Sequence, residues 1–284
     1  MSKLDLSTSS LYNIRGKIAL VTGGSSGIGK MIAEGFVQNG AKVYIAARKE
    51  AQLKATTEEL NKIAPGSVQY IVANVGSKAG CDALIAELKK RESKLHILVN
   101  NSGITWGAPF VDFPEAKGWD NVMAVNVKSI FYMTAGLADL LEQDATAADP
   151  GRVINISSVA GISAQAEGEL SAPGSGVWSY NTSKAAANHL TSQLSLTLVR
   201  RHINVNAILP GVFPSKMTAF GFQQVGSEGF EAKQPTGRYG HPEDMAGVAL
   251  FLVSPASTHV TGVHIPLDGG ARFLPQAVTG QVKL

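Results

Sequence analysis

A hydroxyl pair (Ser157-Ser158), a tyrosine (Tyr180) and a lysine (Lys184) share one stretch of the chain, and these residue types suit proton transfer at an oxygen atom. A phenol titrates near pH 10 in water, too high for efficient exchange at neutrality, and a neighbouring ammonium lowers that value by favouring the phenolate. Positions i and i+4 share one helix face, so Tyr180 and Lys184 can point into the same cleft. A serine hydroxyl beside them would orient an oxygen and stabilise negative charge developing on it. Taken alone, Y-x-x-x-K fits a half-buried aromatic and a solvated helical charge just as well. Twenty-two positions of mostly small, polar, Gly- and Pro-bearing sequence separate Ser158 from Tyr180. The surrounding elements must decide whether the two pieces meet.

Those elements alternate. From residue 17 onward, short β-branched runs are followed by segments of helical period: KIALVTG then GIGKMIAEGFVQNG, KVYIAAR then EAQLKATTEELNKI, VQYIVANV then a helix near Lys78–Arg91. LHILVNN, a long helix through about 120–143, GRVINISS, a helix from Tyr180, INVNAILPG, a helix from Pro242 and TGVHIPLDGG continue the pattern. Strands apolar on both faces predict a mainly parallel sheet of about seven strands covered by helices on each side. The expected fold is α/β, a doubly wound single domain over 1–284 with ligands at the carboxyl ends of its strands. Residues 1–15 read as an N-terminal extension, 164–177 as a loop inserted at the site, and 212–240 as an irregular segment placed to close over a ligand.

The first strand runs into Thr22-Gly23-Gly24-Ser25-Ser26-Gly27-Ile28-Gly29 before a helix. Glycine permits a tight turn and close ligand approach, and the helix N-terminus offers N–H groups and a favourable dipole to a pyrophosphate. The spacing G-x-x-x-G-x-G differs from the general G-x-G-x-x-G fingerprint, so by itself the turn also fits a plain strand-to-helix connection. KVYIAAR ends on Arg48 with Lys49 beside it, where a site for NAD would place an acid on the ribose 2′-hydroxyl. A guanidinium there pairs with a 2′-phosphate, and Ser25 adds a hydroxyl, which favours NADP(H) over NAD(H).

Bulk properties narrow the rest. A hydrophobic content of 44% over 284 residues supports a large core, and a formal charge of +3 spread along the chain predicts no nucleic-acid surface. Cys81 is the single cysteine, so no internal disulfide forms, and no H-E-x-x-H or Cys/His cluster predicts a metal. No G-x-S-x-G elbow makes Ser158 a hydrolase nucleophile. The N-terminus lacks a signal-peptide core and no run is long enough to span a membrane, so a cytoplasmic protein without membrane contact is expected. The final VKL differs from the SKL peroxisomal signal at its first residue and reads as an ordinary tail. Trp106, Trp178 and Phe213 are equally suited to pocket walls and to ordinary packing.

TGGSSGIG, NNSG at 100–103, NISS at 155–158, YNTSK at 180–184, PG at 210–211 and DGG at 268–270 resemble, in order and approximate spacing, the motifs of the short-chain dehydrogenase/reductase family. The resemblance covers about residues 15–272. The runs GISA and INVNAILPGVFPSKMT are similar to β-ketoacyl reductases, including those of rhamnolipid-type biosynthesis and fungal ketoreductases. The resemblance implies a Rossmann-type fold and hydride transfer between NADP(H) and a small ketone or secondary alcohol.

It also implies roles for individual residues. Tyr180 would exchange the proton, Lys184 would bind the nicotinamide ribose and tune the phenol, Ser158 would hold the carbonyl, and Asn126 would hold a water linked to Lys184 from a kinked helix. Gly23, Ser25, Ser26, Gly27, Ile28, Gly29, Arg48, Asn74, Val75, Asn101, Ser102 and Gly103 would line the adenosine and pyrophosphate side, with Asn100 supporting the central strands. Pro210, Gly211, Phe213 and Ser215 would flank the nicotinamide. Ser102 stands where the family usually has Ala, Asn74 where it has Asp, and Ser215 where it has Thr. The resemblance further implies a homotetramer, or a homodimer, built through the helices near 120–143 and 180–201. Two other readings stay open here, an NAD-linked alcohol dehydrogenase and a non-catalytic dinucleotide-binding sensor or assembly subunit.

Overall fold

The computed structural model describes residues 5–168, 171–232 and 234–274. Seven strands form one parallel sheet: β1 (Ile18–Thr22), β2 (Lys42–Ala47), β3 (Val68–Val72), β4 (Ile97–Asn100), β5 (Gly151–Ile156), β6 (Ile203–Pro210) and β7 (His264–Leu267). Their order is β3-β2-β1-β4-β5-β6-β7, and every neighbouring pair is parallel. The order reverses direction between β1 and β4, and the crevice at such a switch point is where ligands bind in open α/β sheets.

Among the described residues the longer helices between these strands are α1 (Gly27–Gln38), α2 (Glu50–Ile63), α3 (Lys78–Arg91), α4 (Ser129–Glu142), α5 (Trp178–Leu198), α6 (Ala219–Glu231) and α7 (Pro242–Val253). Strand alternation divides the core into two layers. Ala19 and Val21 of β1 pack with Ile32, Phe36 and Leu252 on one side, whereas Leu20 between them packs with Leu84, Met133 and Leu137 on the other. Both faces of β1, β4, β5 and β6 are buried, as the apolar runs predict, while the edge strand β3 leaves Val72 49% exposed. Local signals fix the helix ends. Ser77 caps α3 by accepting from the Gly80 N–H, and Lys89, Lys90 and Arg91 sit at its negative end. Pro242 opens α7, and the Asp244 carboxylate accepts from the His241 N–H.

Two expectations change. The long helix begins earlier than predicted, at Glu115, and reaches α4 through π-helical turns at Glu115–Asp120 and Ala124–Lys128. A π turn inserts an extra residue without breaking the apolar pattern, so helical period alone does not reveal it. The segment 212–240 is not wholly irregular, since it carries α6, interrupted at Gly226 with φ of 70°. The loop over 164–177 is tied at its base: Gly176 N–H donates to Ala108 O at 3.0 Å, and Val177 N–H donates to Ala166 O at 2.8 Å. The terminal VKL lies outside the described residues.

Candidate active site

One cavity of about 1310 Å³ opens along the carboxyl ends of the strands, running from the glycine turn after β1 to the loop before α5. All positions expected at the site line it except Gly29 and Asn126, which stand directly behind its wall. Trp106 and Trp178 do not line it. Trp178 instead packs edge-on against Phe110 and Phe113, with ring centroids 5.4 and 5.6 Å away. Phe213 does line it but is only 2% exposed, its ring lying over Gly240.

The glycine turn is built for close approach. Gly23 has φ of +66°, and a Cβ there would come within 2.7 Å of Asn101 Nδ2; a Cβ on Gly29 would strike Asn101 Nδ2 and Gly23 O. Asn101 Nδ2 donates to the carbonyls of Thr22 (2.9 Å) and Gly23 (3.2 Å), so β4 grips the turn that β1 feeds. Thr22 completes the grip, its Oγ1 accepting from the N–H groups of Asn101 and Ser102. α1 begins at Gly27 with no side-chain cap from Ser26, and the first N–H groups of a helix lack intrahelical partners. This cradle and the dipole behind it fit a pyrophosphate. Arg48 and Lys49 line the cavity just beyond β2, and Asn74 lines it beyond β3. Asn74 Oδ1 accepts from the Gly76 N–H at 3.1 Å, which fixes the amide at the mouth. The residues present therefore fit an NAD(P)(H) dinucleotide.

At the other end, a buried polar chain sets the position of α5. Asn100 Nδ2 donates to Asn155 Oδ1 (2.9 Å) and Thr134 Oγ1 (3.1 Å), and Asn155 Nδ2 donates to Thr191 Oγ1 (2.9 Å), so β4, α4, β5 and α5 are joined. Such satisfied buried networks favour one arrangement, because every broken link strands a buried polar group. Ser157 Oγ donates to Lys184 O at 3.0 Å, and a Cβ on Gly161 would lie 2.6 Å from the Lys184 carbonyl carbon. The turn after β5 and the first turns of α5 therefore interlock despite the long interval between them.

Lys184 is 4% exposed, and its Nζ donates to Ile156 O at 2.9 Å. Burial pushes this lysine down to about 8. Burial also pushes the Tyr180 phenol above its ordinary value, while the neighbouring Ser158 hydroxyl draws it partly back. The sequence expectation was a phenol lowered by the lysine. Desolvation outweighs that effect, because the ammonium lies 5.5 Å from the ring centroid and is bonded to a backbone carbonyl instead. Ser158 caps a short turn over Val159–Ile162, its Oγ accepting from the Ala160 N–H at 3.1 Å and donating to Pro210 O at 3.4 Å. Asn126 sits in the second π turn. Its amide spans Ile104 N–H and O, each at 2.9 Å, and donates to Ser183 Oγ at 2.9 Å.

Sequence reasoning missed several supporting groups. Thr22 was legible only as part of the turn, and the carbonyls of Ile104 and Ile156 carry no side-chain signal. Thr218 was missed as well: its Oγ1 donates to Phe213 O and accepts from the Ser215 N–H, fixing the backbone beside the cavity. A hydroxyl three residues after Ser215 was the available clue. Among the described residues no cluster of metal-ligating side chains occurs, and no helix is long and apolar enough to cross a membrane.

A Rossmann-type sheet with a glycine turn at its switch point and Ser, Tyr and Lys on one cavity wall defines a dinucleotide-dependent oxidoreductase, and the chain belongs to the short-chain dehydrogenase/reductase family. The family profile described as "Enoyl-(Acyl carrier protein) reductase" matches residues 23–272. The rhamnolipids biosynthesis 3-oxoacyl-[acyl-carrier-protein] reductase of Pseudomonas aeruginosa is 44% identical over 260 residues, covering 91% of this chain and 97% of that one. The NAD-dependent glycerol dehydrogenase of Listeria innocua is 33% identical over 259 residues, covering 91% and 95%. Among solved structures, a Pseudomonas aeruginosa RhlG/NADP active-site complex superposes with a TM-score of 0.84 at 42% identity, covering 92% of this chain and 98% of that one. This chain is accordingly an NAD(P)(H)-dependent oxidoreductase acting on carbonyl compounds, close to the ketoacyl-reductase subfamily.

Proposed function

We propose that this chain is an NADP(H)-dependent reductase of β-ketoacyl or polyketide-like ketones, working as one catalytic domain in the cytoplasm and assembled as a homotetramer or homodimer. The observation that carries the reading is the arrangement along one cavity. Ser158 and Tyr180 bring two hydroxyls together at one end, Lys184 lies buried beside them, and at the other end the first two positions after β2 are the cations Arg48 and Lys49. When bound, the nicotinamide supplies the hydride for carbon. Gly103 leaves room for Lys184 Nζ and Asn126 Oδ1 close to the backbone after β4, and a Cβ there would lie 3.5 and 3.6 Å from them. Ser158 orients the substrate oxygen, and Tyr180 gives it a proton as negative charge develops. Lys184 restores charge balance at the phenol and holds the ribose.

Ile104, Val159, Ala160, Val177 and Phe220 give the lining an apolar part beside the polar Ser163, Gln165, Asn181 and Gln224, and that apolar part suits an acyl chain. The name of the 44% identical relative points the same way. Phe131 of α4 and Leu196 of α5 are 47% and 79% exposed on the helices expected to join subunits, which supports assembly. NADPH and NADH turnover over a panel of β-ketoesters tests the reading. Consumption of NADPH at least tenfold more efficient than of NADH is expected. A preference for NADH, or tight NADPH binding without turnover on any ester, would overturn it.

A further inference from the structure

Three cations, not two, stand at the adenosine end of the cavity. Arg48 and Lys49 follow β2, and Lys216 reaches the same end from the segment after β6. Lys216 Nζ donates to Gln52 Oε1 at 3.2 Å, and Gln52 Nε2 donates to Ser25 O at 3.1 Å, a carbonyl of the glycine turn that Thr56 Oγ1 also grips. The backbone that carries Lys216 lies against that turn, since a Cβ on Gly27 would be 3.2 Å from Ser215 Cβ. The root of the segment is knotted on both sides of Lys216. Ser215 N–H donates to Thr218 Oγ1 at 2.9 Å, Thr218 N–H donates to Ser215 Oγ at 3.2 Å, and α6 begins at the next residue. Among the described residues that line the cavity, the single carboxylate is Glu167, in the inserted loop. Lys216 is thus held by a neutral amide, at an end of the cavity whose described lining carries cations and no carboxylate.

We propose that Lys216 is a specificity residue for the 2′-phosphate of the cofactor, exchanging its Gln52 partner for that phosphate and thereby fixing α6 over the cavity only when the 2′-phosphate is present. An amide carbonyl is a weak competitor for an ammonium, whereas a phosphate dianion makes a short charge-assisted hydrogen bond with it. The charge lies one knot away from α6, so a ligand that holds Lys216 also holds the helix root. The pyrophosphate, by contrast, falls to the N-terminus of α1 and is common to both dinucleotides. The proposal rests on the NADP(H) reading and adds a coupling to it. The phosphate that selects the cofactor also closes the substrate side, so a dinucleotide lacking it binds with α6 loosely held.

The test uses intact protein with 2′,5′-ADP and 5′-AMP as probes, together with the full cofactors, read by equilibrium binding and by amide hydrogen exchange in 219–231. In the wild type, 2′,5′-ADP slows exchange in α6 and 5′-AMP does not. Lys216→Ala abolishes that protection and weakens 2′,5′-ADP and NADPH about tenfold, the loss of one charge-assisted hydrogen bond. NADH affinity stays within twofold, and Lys216→Arg restores most of both effects. Parallel losses for NADPH and NADH would place Lys216 on the pyrophosphate and overturn the proposal. Unchanged NADPH affinity, or protection of α6 by 5′-AMP as strong as by 2′,5′-ADP, would also overturn it. A wild type indifferent to the 2′-phosphate would remove the NADP(H) reading itself, an outcome distinct from a wild type that discriminates while Lys216→Ala discriminates equally well.

Discussion

Lys184 Nζ lies 5.5 Å from the centroid of the Tyr180 ring and gives its hydrogen bond to Ile156 O at 2.9 Å. The i,i+4 spacing brings the two side chains to the same wall, yet the ammonium is anchored to the end of β5 and not to the phenol. Burial acts on both groups toward neutrality, raising the tyrosine and bringing the lysine down to about 8. A charged Lys184 is therefore maintained at pH 7 by a margin of about one pH unit.

That margin predicts a basic limb in the pH profile. Lysine is cationic below its pKa, so the charge needed at the ribose and the phenol is present at pH 7 and is lost as pH rises through about 8. kcat/KM for ketone reduction, which reports groups of the free enzyme, is expected to be flat from pH 6 to 7 and to fall about tenfold per unit above 8. A profile flat to pH 9.5 would show that the charge of Lys184 is not required.

The two hydroxyls differ in what their loss removes. Tyr180→Phe takes away the proton donor while keeping the ring, so reduction is expected to fall by about 10³ or more with NADPH affinity nearly unchanged. Ser158→Ala removes one donor to the developing oxyanion and is expected to cost about 10² to 10³ in kcat. It also removes the neighbouring hydroxyl that partly offsets burial, so the Tyr180 phenol should titrate higher in this variant. Single-turnover rates at saturating NADPH separate the two. A Tyr180→Phe rate within tenfold of wild type would contradict the assignment.

Gly29 is the glycine of the turn with least room. A Cβ there meets Asn101 Nδ2 and the Gly23 carbonyl, both held by the bonds that join β1 to β4. Gly29→Ala must open that junction, at a cost of about 1–3 kcal/mol by the usual scale of overpacking. A lowered Tm together with at least tenfold weaker NADPH binding is expected, whereas Gly168→Ala, with open space around its Cβ, should change neither. Equal behaviour of the two variants would mean that the turn tolerates bulk and that close packing is not its reason for being glycine.

Some of this arrangement was legible in the residues and some was not. The β1-α1 turn could be read because glycine, helix start and strand end are local features. The sheet could be read because β1, β4, β5 and β6 are apolar on both faces. The π turn at Asn126 was not legible, since an extra residue leaves helical period almost intact, and the family resemblance implied only a kinked helix there. Nothing local marks the Ile156 carbonyl as the partner of Lys184, because every residue carries a carbonyl and only the packing of α5 selects this one. Lys216 went unassigned for a related reason. A lone lysine in an irregular segment reads as solvated, and its approach to Gln52 depends on how the chain after β6 folds back across β1.

The inserted loop yields the sharpest separation between substrate choice and cofactor binding. Its base is held by bonds from Gly176 to Ala108, from Val177 to Ala166, and from Asn181 Nδ2 to Gln165 O at 2.8 Å, all outside residues 168–175. Glu167 and Gly176 already face one another as an antiparallel bridge, so replacing 168–175 by Asn-Gly closes them with a tight turn. Ala172, Pro173 and Ser175 then vanish from the cavity wall, while Arg48, Lys49 and the glycine turn, at the other end, keep every contact. NADPH affinity should stay within twofold of wild type. The ratio of kcat/KM for long- and short-chain β-ketoesters should move by tenfold or more, toward the bulkier substrates. A loop that serves only as a spacer predicts an unchanged ratio, and that result, with NADPH binding intact, would remove 164–177 from any account of specificity.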